Sequence, residues 1–297
     1  MKKKIKENNN FCLIIFIIIG ASLSIYCLSM ISLFAWGFLT SLKGKLEYRI
    51  NLFGLPKEWL WSNYKIVLDA FYIMVESGSG YRQIYVLEMF FNSVLYAVGC
   101  ALIQALTQYV VAYAIARFNF QFNKVVYNIV IVTMILPIVG SLPSEIQMAT
   151  NLGLIDHYYG LWIMKANFLG MYFLVFYAAL KNLPKDYSDA AYVDGASQLT
   201  VMTKIIFPLV KTVYLSIALL LFIGYWNDYQ TPMVYMPNLP TVAYGLYYFS
   251  DLCTINEVKS IPVRLAGCMM MCVPVLILFI FLQNQLMNNM TIGGLKE

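Results

Sequence analysis

Side chains able to do covalent or metal chemistry are sparse in this chain: one histidine, His157, and six cysteines among 297 residues. Cys268 and Cys272 share a helix face at i, i+4, a spacing from which two thiolates could grip a metal ion, but a single histidine does not complete a ligand set. A nucleophile and base pair is equally hard to assemble. A phosphate-binding loop, G-x4-G-K-[ST], is missing too: the Gly44-Lys45 pair has Leu39 where the first glycine should stand. Two groupings remain. Tyr225, Trp226, Asn227, Asp228 and Tyr229 set flat aromatic faces beside donors and acceptors, a combination that stacks on sugar rings and bonds hydroxyls. The same five also read as an aromatic belt at a membrane interface with a hydrated carboxylate. The second grouping runs from Asp189 to Pro208 and contains no reactive constellation, only two adjacent alanines, a glycine and a proline at fixed offsets.

The elements that must position these groups follow from solvent. The chain is 61% hydrophobic and 12% charged, against roughly 25% charged residues in a water-facing domain. A soluble enzyme, a disordered chain and a nucleic-acid binder are disfavoured, the last because the net charge is only +5. Lipid is the natural solvent. Uncharged stretches of bilayer-crossing length predict an all-α, polytopic membrane protein of six transmembrane helices, at about 11–39, 89–116, 125–144, 158–180, 209–230 and 265–287. Residues 1–10 and 288–297 are expected as tails, and 181–211 as the long loop between spans four and five. Lys165 is expected to snorkel toward the headgroups, and Pro274 to be a tolerated kink.

Lys2, Lys3, Lys4 and Lys6 ahead of the first apolar run favour an uncleaved anchor with a cytoplasmic N-terminus over a cleaved signal, since no A-x-A pattern follows the isoleucine run before Ser24. With both termini cytoplasmic, the inner segments hold eleven Lys and Arg against five acids, as the positive-inside rule requires. Five of the six cysteines (Cys12, Cys27, Cys100, Cys268, Cys272) fall within predicted spans and read as small apolar residues; Cys253 lies outside one. Gln104 and Gln108, at i, i+4 on span two, could bond neighbouring helices or face the pathway, with the first role favoured. The segment 41–88, with Trp59, Trp61 and Tyr64, is expected as a long outer loop.

The inner segment KNLPKDYSDAAYVDGASQLTVMTKIIFPLVK predicts a short helix over about Lys185–Asp194, a left-handed corner at Gly195 and a second helix from near Ala196. Ala190 and Ala191 are shaped for close backbone approach by another protein; an amphipathic connector lying on the membrane is the alternative.

This segment resembles the signature of inner-membrane permease subunits of ATP-binding-cassette importers, E-A-A-x3-G-x9-I-x-L-P. Asp189, Ala190, Ala191, Gly195, Ile205 and Pro208 match with every spacing kept, with Asp189 for the usual Glu and Phe207 for the usual Leu. The segments LPKEWLWSNYKIVL, FFNSVLYAVG, AYAIARFNF, NLGLIDHYYGLW, WNDYQTPM and MTIGGLKE are similar to the carbohydrate-uptake branch, in particular the second permease of maltose-type systems. The resemblance implies a type I importer permease fold, with Asp189, Ala190, Ala191, Asp194, Gly195, Ile205 and Pro208 forming an ATPase-coupling element. It implies two cytoplasmic ATPase subunits that use ATP and Mg, a companion permease, an extracytoplasmic solute-binding protein and a sugar substrate. No cofactor is expected on this chain itself. A permease for a non-sugar solute and a secondary carrier are the rivals within transport; the carrier is disfavoured because no carboxylate sits in the middle of a predicted span. An intramembrane enzyme is the rival from another class.

Overall fold

The computed structural model describes residues 2–78, 80–118, 120–136, 140–251 and 259–292, with side chains from residue 13 onward except at 77, 250, 251, 282 and 284–292. In chain order the elements are α1 (Lys2–Ser41), α2 (Lys45–Ile50), α3 (Ser62–Ala70), β1 (Tyr72–Ser77), β2 (Gly80–Tyr85), α4 (Val86–Arg117), α5 (Asn123–Ile135), α6 (Leu142–Asn151), α7 (Tyr158–Lys165) and α8 (Met171–Asn182). There follow α9 (Asp186–Val193), α10 (Gln198–Thr200), a π-helical segment (Val201–Ile206), α11 (Phe207–Asn227), α12 (Gln230–Tyr235), α13 (Val242–Asp251) and α14 (Ile261–Ile292). Among the described residues, four helical stretches are long and apolar enough to cross a membrane: Leu13–Ser41, Val86–Arg117, Gln198–Asn227 and Ile261–Phe281.

Several expectations change. The chain is mostly helical but not purely so, because β1 and β2 pair antiparallel from Tyr72↔Tyr85 to Ser77↔Gly80. Their β-branched and aromatic residues, joined through a Gly- and Ser-rich corner, favour extended backbone. Where single helices are predicted over 125–144 and 158–180, the chain forms α5 then α6, and α7 then α8. Gly170, at φ +124°, lies in the second break, a conformation no L side chain adopts readily. The terminal helices also reach into the expected tails, beginning at Lys2 and ending at Ile292; residues 293–297, with Lys296 and Glu297, lie outside the described residues, as does Cys253.

The chain divides into two compact units. The first comprises residues 1–70 and 253–270. Here the expected outer loop is folded as far as Ala70. Lys43 is 1% exposed, its ammonium donating to the carbonyls of Asn51 (2.8 Å) and Leu52 (3.3 Å). Asn63 donates to the carbonyls of Ser41 (2.7 Å) and Lys43 (2.9 Å), and the Ser41 and Tyr64 hydroxyls bond at 2.8 Å. Backbone carbonyls at the end of α1 thus find partners in residues about twenty positions on, which is what buried polar backbone requires.

The second unit comprises residues 71–252 and 271–297. Its axis is α4, which packs against α11, α8 and α7. Ala97, Cys100, Ala101, Ala105 and Ala112 are buried, and small side chains of this kind let helices approach closely in a lipid environment. At Gly99 a Cβ would collide with the Trp162 indole nitrogen, which donates to the Leu95 carbonyl at 3.2 Å. Trp162 of α7 therefore occupies the notch that Gly99 leaves. A large aromatic core forms around Tyr109, Tyr113, Phe173, Phe176, Phe207 and Tyr214. At the opposite end of α4, Asp156 accepts from the backbone and side-chain amides of Asn238 at 2.8 and 3.0 Å and joins the connections after α6 and α12. Tyr235 donates to Glu145 at 3.4 Å; burial first, then the Glu145 carboxylate, raises its phenol above the usual value.

Candidate functional site

Helix α9 begins after Pro184 with Asp186 and Asp189 in its first turn, where carboxylates complement the positive end of the helix. It ends in a Schellman motif: the Ala196 amide donates to the Ala191 carbonyl (3.0 Å) and the Gly195 amide to the Tyr192 carbonyl (3.0 Å). Gly195 is at φ +79°, and nothing lies within 4 Å of where its Cβ would be. Its requirement is conformational, not steric. Two residues on, the Ser197 hydroxyl accepts from the Thr200 amide at 3.3 Å and caps the next helix.

The signature residues divide by face. Asp189, Ala190, Asp194, Gly195 and Pro208 are exposed, Ile205 is half-buried, and Ala191 is buried in the aromatic core. The expectation that Ala190 and Ala191 both offer themselves to another protein is corrected at Ala191, whose side chain packs inward at 7% exposure. The outward surface of α9 instead pairs Ala190 with Tyr187, Tyr192 and Val193, the last 88% exposed.

Beyond the corner, the expected second helix begins at Gln198 and continues without a break into the long apolar helix. Residues 198–227 are continuous helix, and the wide turn Val201–Ile206 precedes Pro208. Proline cannot donate to the fourth residue before it, and the turn widens so that the Phe207 amide reaches the Met202 carbonyl. The Tyr109 hydroxyl of α4 donates to that same carbonyl at 2.9 Å, and Tyr214 of α11 donates to the Leu102 carbonyl at 3.0 Å. The wide turn and α11 are thus each bonded to α4 by one tyrosine.

Farther along α11, the five residues singled out as a pathway diverge. Trp226 is 2% exposed, wedged against Phe222 and Phe90 with its indole donating to the Met271 carbonyl at 3.1 Å, so its face is not available to a solute. Asn227 is exposed and bonds back to the Ile223 carbonyl. Tyr229 stacks on Tyr247 at 4.4 Å. Asp228 is half-buried, accepting from the Tyr96 hydroxyl at 3.0 Å and the Thr231 amide at 3.0 Å. Tyr225 donates to Gln104 at 2.6 Å, and the Lys165 ammonium lies over its ring, 5.9 Å from the centroid. Lys165 thus turns toward Tyr225 of α11. Tyr225 and Asp228 come together with Tyr96, Gln104 and Lys165, three residues absent from the predicted set. The one sequence signal for them is polarity within apolar spans, most plainly Lys165. Gln108 is buried and reaches the Leu169 carbonyl in the α7–α8 break at 3.5 Å. Both glutamines therefore bond neighbouring elements.

Among the described residues, no group of three His, Cys, Asp or Glu side chains is placed to hold a metal. The arrangement is one of packing surfaces and a polar helical face.

The family model for "binding-protein-dependent transport system inner membrane component" matches residues 108–288. The probable starch degradation products transport system permease AmyC of Thermoanaerobacterium thermosulfurigenes is 27% identical over 265 residues, covering 86% of this chain and 88% of that protein. The osmoprotective compounds uptake permease GgtD of Synechocystis is 29% identical over 213 residues, covering 71% of this chain and 70% of its own. A subunit in the crystal structure of a bacterial ABC transporter involved in the import of the acidic polysaccharide alginate superposes with a TM-score of 0.75 at 22% identity, over 91% of this chain and 96% of its own, which establishes the fold. The chain belongs to the family of binding-protein-dependent transport system inner membrane components, and is a transport permease subunit with an ABC importer permease fold.

Proposed function

We propose that this permease forms half of the transmembrane pathway of an importer for a sugar or oligosaccharide, crosses the cell membrane six times with both termini cytoplasmic, and takes its energy through α9. In this reading Asp189, Ala190, Asp194 and Gly195 enter a groove on one of two separate ATPase subunits, which bind ATP and Mg. Ala191, Ile205 and Pro208 join that docked surface to α11. A companion permease completes the pathway, and an extracytoplasmic binding protein delivers the solute.

The observation that carries this reading is the exposed elbow α9–Gly195–α10 running without interruption into a 30-residue apolar helix. Such a rigid connection turns a push on α9 into a tilt of α11, the kind of discrete movement that exchanges outward and inward openings. Six crossings are supported by length. Each residue adds about 1.5 Å, so α7 and α8 together match a hydrocarbon core of about 30 Å, and the shorter apolar helix α5 is read as part of a further crossing. Irregular backbone at that depth is tolerated where protein or a cavity covers it. Tyr96, Gln104, Lys165, Tyr225 and Asp228 supply donors, acceptors and ring faces suited to a polyhydroxylated solute. A sugar is favoured by the relative named for starch degradation products; a non-sugar solute is the second reading, favoured by the relative named for osmoprotective compounds.

Uptake of labelled mono- and oligosaccharides in cells tests both parts. Import should vanish when the partner ATPase gene is deleted and fall sharply in Gly195→Trp. Import that persists in either strain rejects the coupling, and acceptance of a non-sugar solute with refusal of every sugar rejects the substrate class.

A further inference from the structure

At the ends of α4 and α8 and the start of α5, the structure forms an open cavity of about 420 Å³ whose lining includes Arg117, Lys124, Lys181 and Lys185 and no acidic side chain. The positive-inside rule accounts for basic residues at cytoplasmic helix ends. It does not account for four of them converging on one hollow, nor for how Arg117 is held. Its guanidinium donates from Nη1 to the Pro184 carbonyl at 3.5 Å, while Nε and Nη2 are sealed from solvent without a hydrogen-bond partner. Among the described residues, none of the four cations is in an ion pair. Lys181 is held over the Tyr177 ring, 5.4 Å from the centroid, at the cavity wall. The first turn of α5, with Asn123 and Lys124, opens into the same space and adds the positive end of a helix. Asp186, the neighbour of Lys185, starts α9 and does not line the cavity.

Four convergent cationic side chains without a carboxylate partner, beside a helix start, fit one chemistry, an anion with several acceptor oxygens. We propose that this cavity binds a phosphate group, carried either by an anionic phospholipid headgroup or by a phosphorylated solute of the cytoplasm. The placement on the cytoplasmic side rests on the orientation proposed above; the binding chemistry does not. Because Pro184 and Lys185 lead directly into α9, an occupied cavity ties the root of that helix to the ends of α4 and α5. Occupancy then stiffens the element through which the motor acts.

The test uses the assembled importer complex purified in a neutral detergent, where binding is independent of membrane orientation. Phosphatidylglycerol, phosphatidylcholine and inorganic phosphate are titrated separately, with bound lipid read by native mass spectrometry and phosphate by its ability to displace that lipid or raise the melting temperature. Phosphatidylglycerol should be retained in preference to phosphatidylcholine, and the double variant Lys124→Gln, Lys181→Gln should bind it roughly tenfold more weakly. Both lysines are exposed, so these changes leave the packed core intact. Arg117→Gln should also lose binding, and Arg117→Lys should recover part of it. Displacement of the lipid by inorganic phosphate, or saturable phosphate binding that the double variant loses, would identify a free phosphorylated solute as the source and support the site. Equal retention of both lipids with no effect of phosphate, or unchanged binding in the double variant, would overturn it. A C-terminal reporter found outside the cell would reject the orientation and leave the binding result standing.

Discussion

Ala190 and Ala191 are identical neighbours with opposite tasks. Ala190 faces solvent on α9, and Ala191 is 7% exposed within the core built on Tyr109 and Phe176. Ala191→Leu should destabilise the permease by about 1–3 kcal/mol, because added methylenes have no space there. Ala190→Leu should leave the melting temperature within a degree or two and reduce uptake. Thermal unfolding in detergent beside an uptake assay separates the two; equal effects on melting would contradict the assigned faces. At this scale the left-handed corner at Gly195 was legible, since glycine after a helical run has few other uses. Which alanine points inward, and that Trp226 is buried while Lys165 turns toward Tyr225, was not, because the facing of a side chain is settled by helices distant in sequence.

Among the elements, α4 is the one on which the second unit is organised, and its contact with α7 depends on a single missing side chain. Gly99→Leu would drive the Trp162 ring out of its notch and cost about 2 kcal/mol or more, by overpacking and by loss of the indole bond to the Leu95 carbonyl. Loss of folded protein on size exclusion, partly recovered when Trp162→Ala is added, is the expected result; a singly substituted protein as stable as the parent would contradict it. The long apolar helices were plain from composition. The breaks in 125–144 and 158–180 were less so, since hydropathy counts apolar residues and is blind to the backbone conformation of Gly170. Residues 44–70 read as loop because what folds them is a set of side chains donating to carbonyls, chiefly Lys43 and Asn63, which leaves no periodic pattern.

For the whole molecule, the charge distribution predicts that a reporter fused at either terminus is cytoplasmic and that one inserted near Phe53, which is 80% exposed, is not. Paired reporters active only inside or only outside the cell check this directly; a terminal fusion active outside would contradict the orientation, and termini on opposite sides would contradict six crossings. With both ends inside, α9 lies on the cytoplasmic face, where a separate motor can reach it. The most direct measurement is cross-linking in native membranes from Val193→Cys, an 88% exposed position on α9. A permease–ATPase adduct whose yield changes when ATP is added is the predicted result. Absence of any adduct from Val193→Cys and Ala190→Cys, in membranes that still import the solute, would contradict the claim that this helix carries the motor's movement into the bundle.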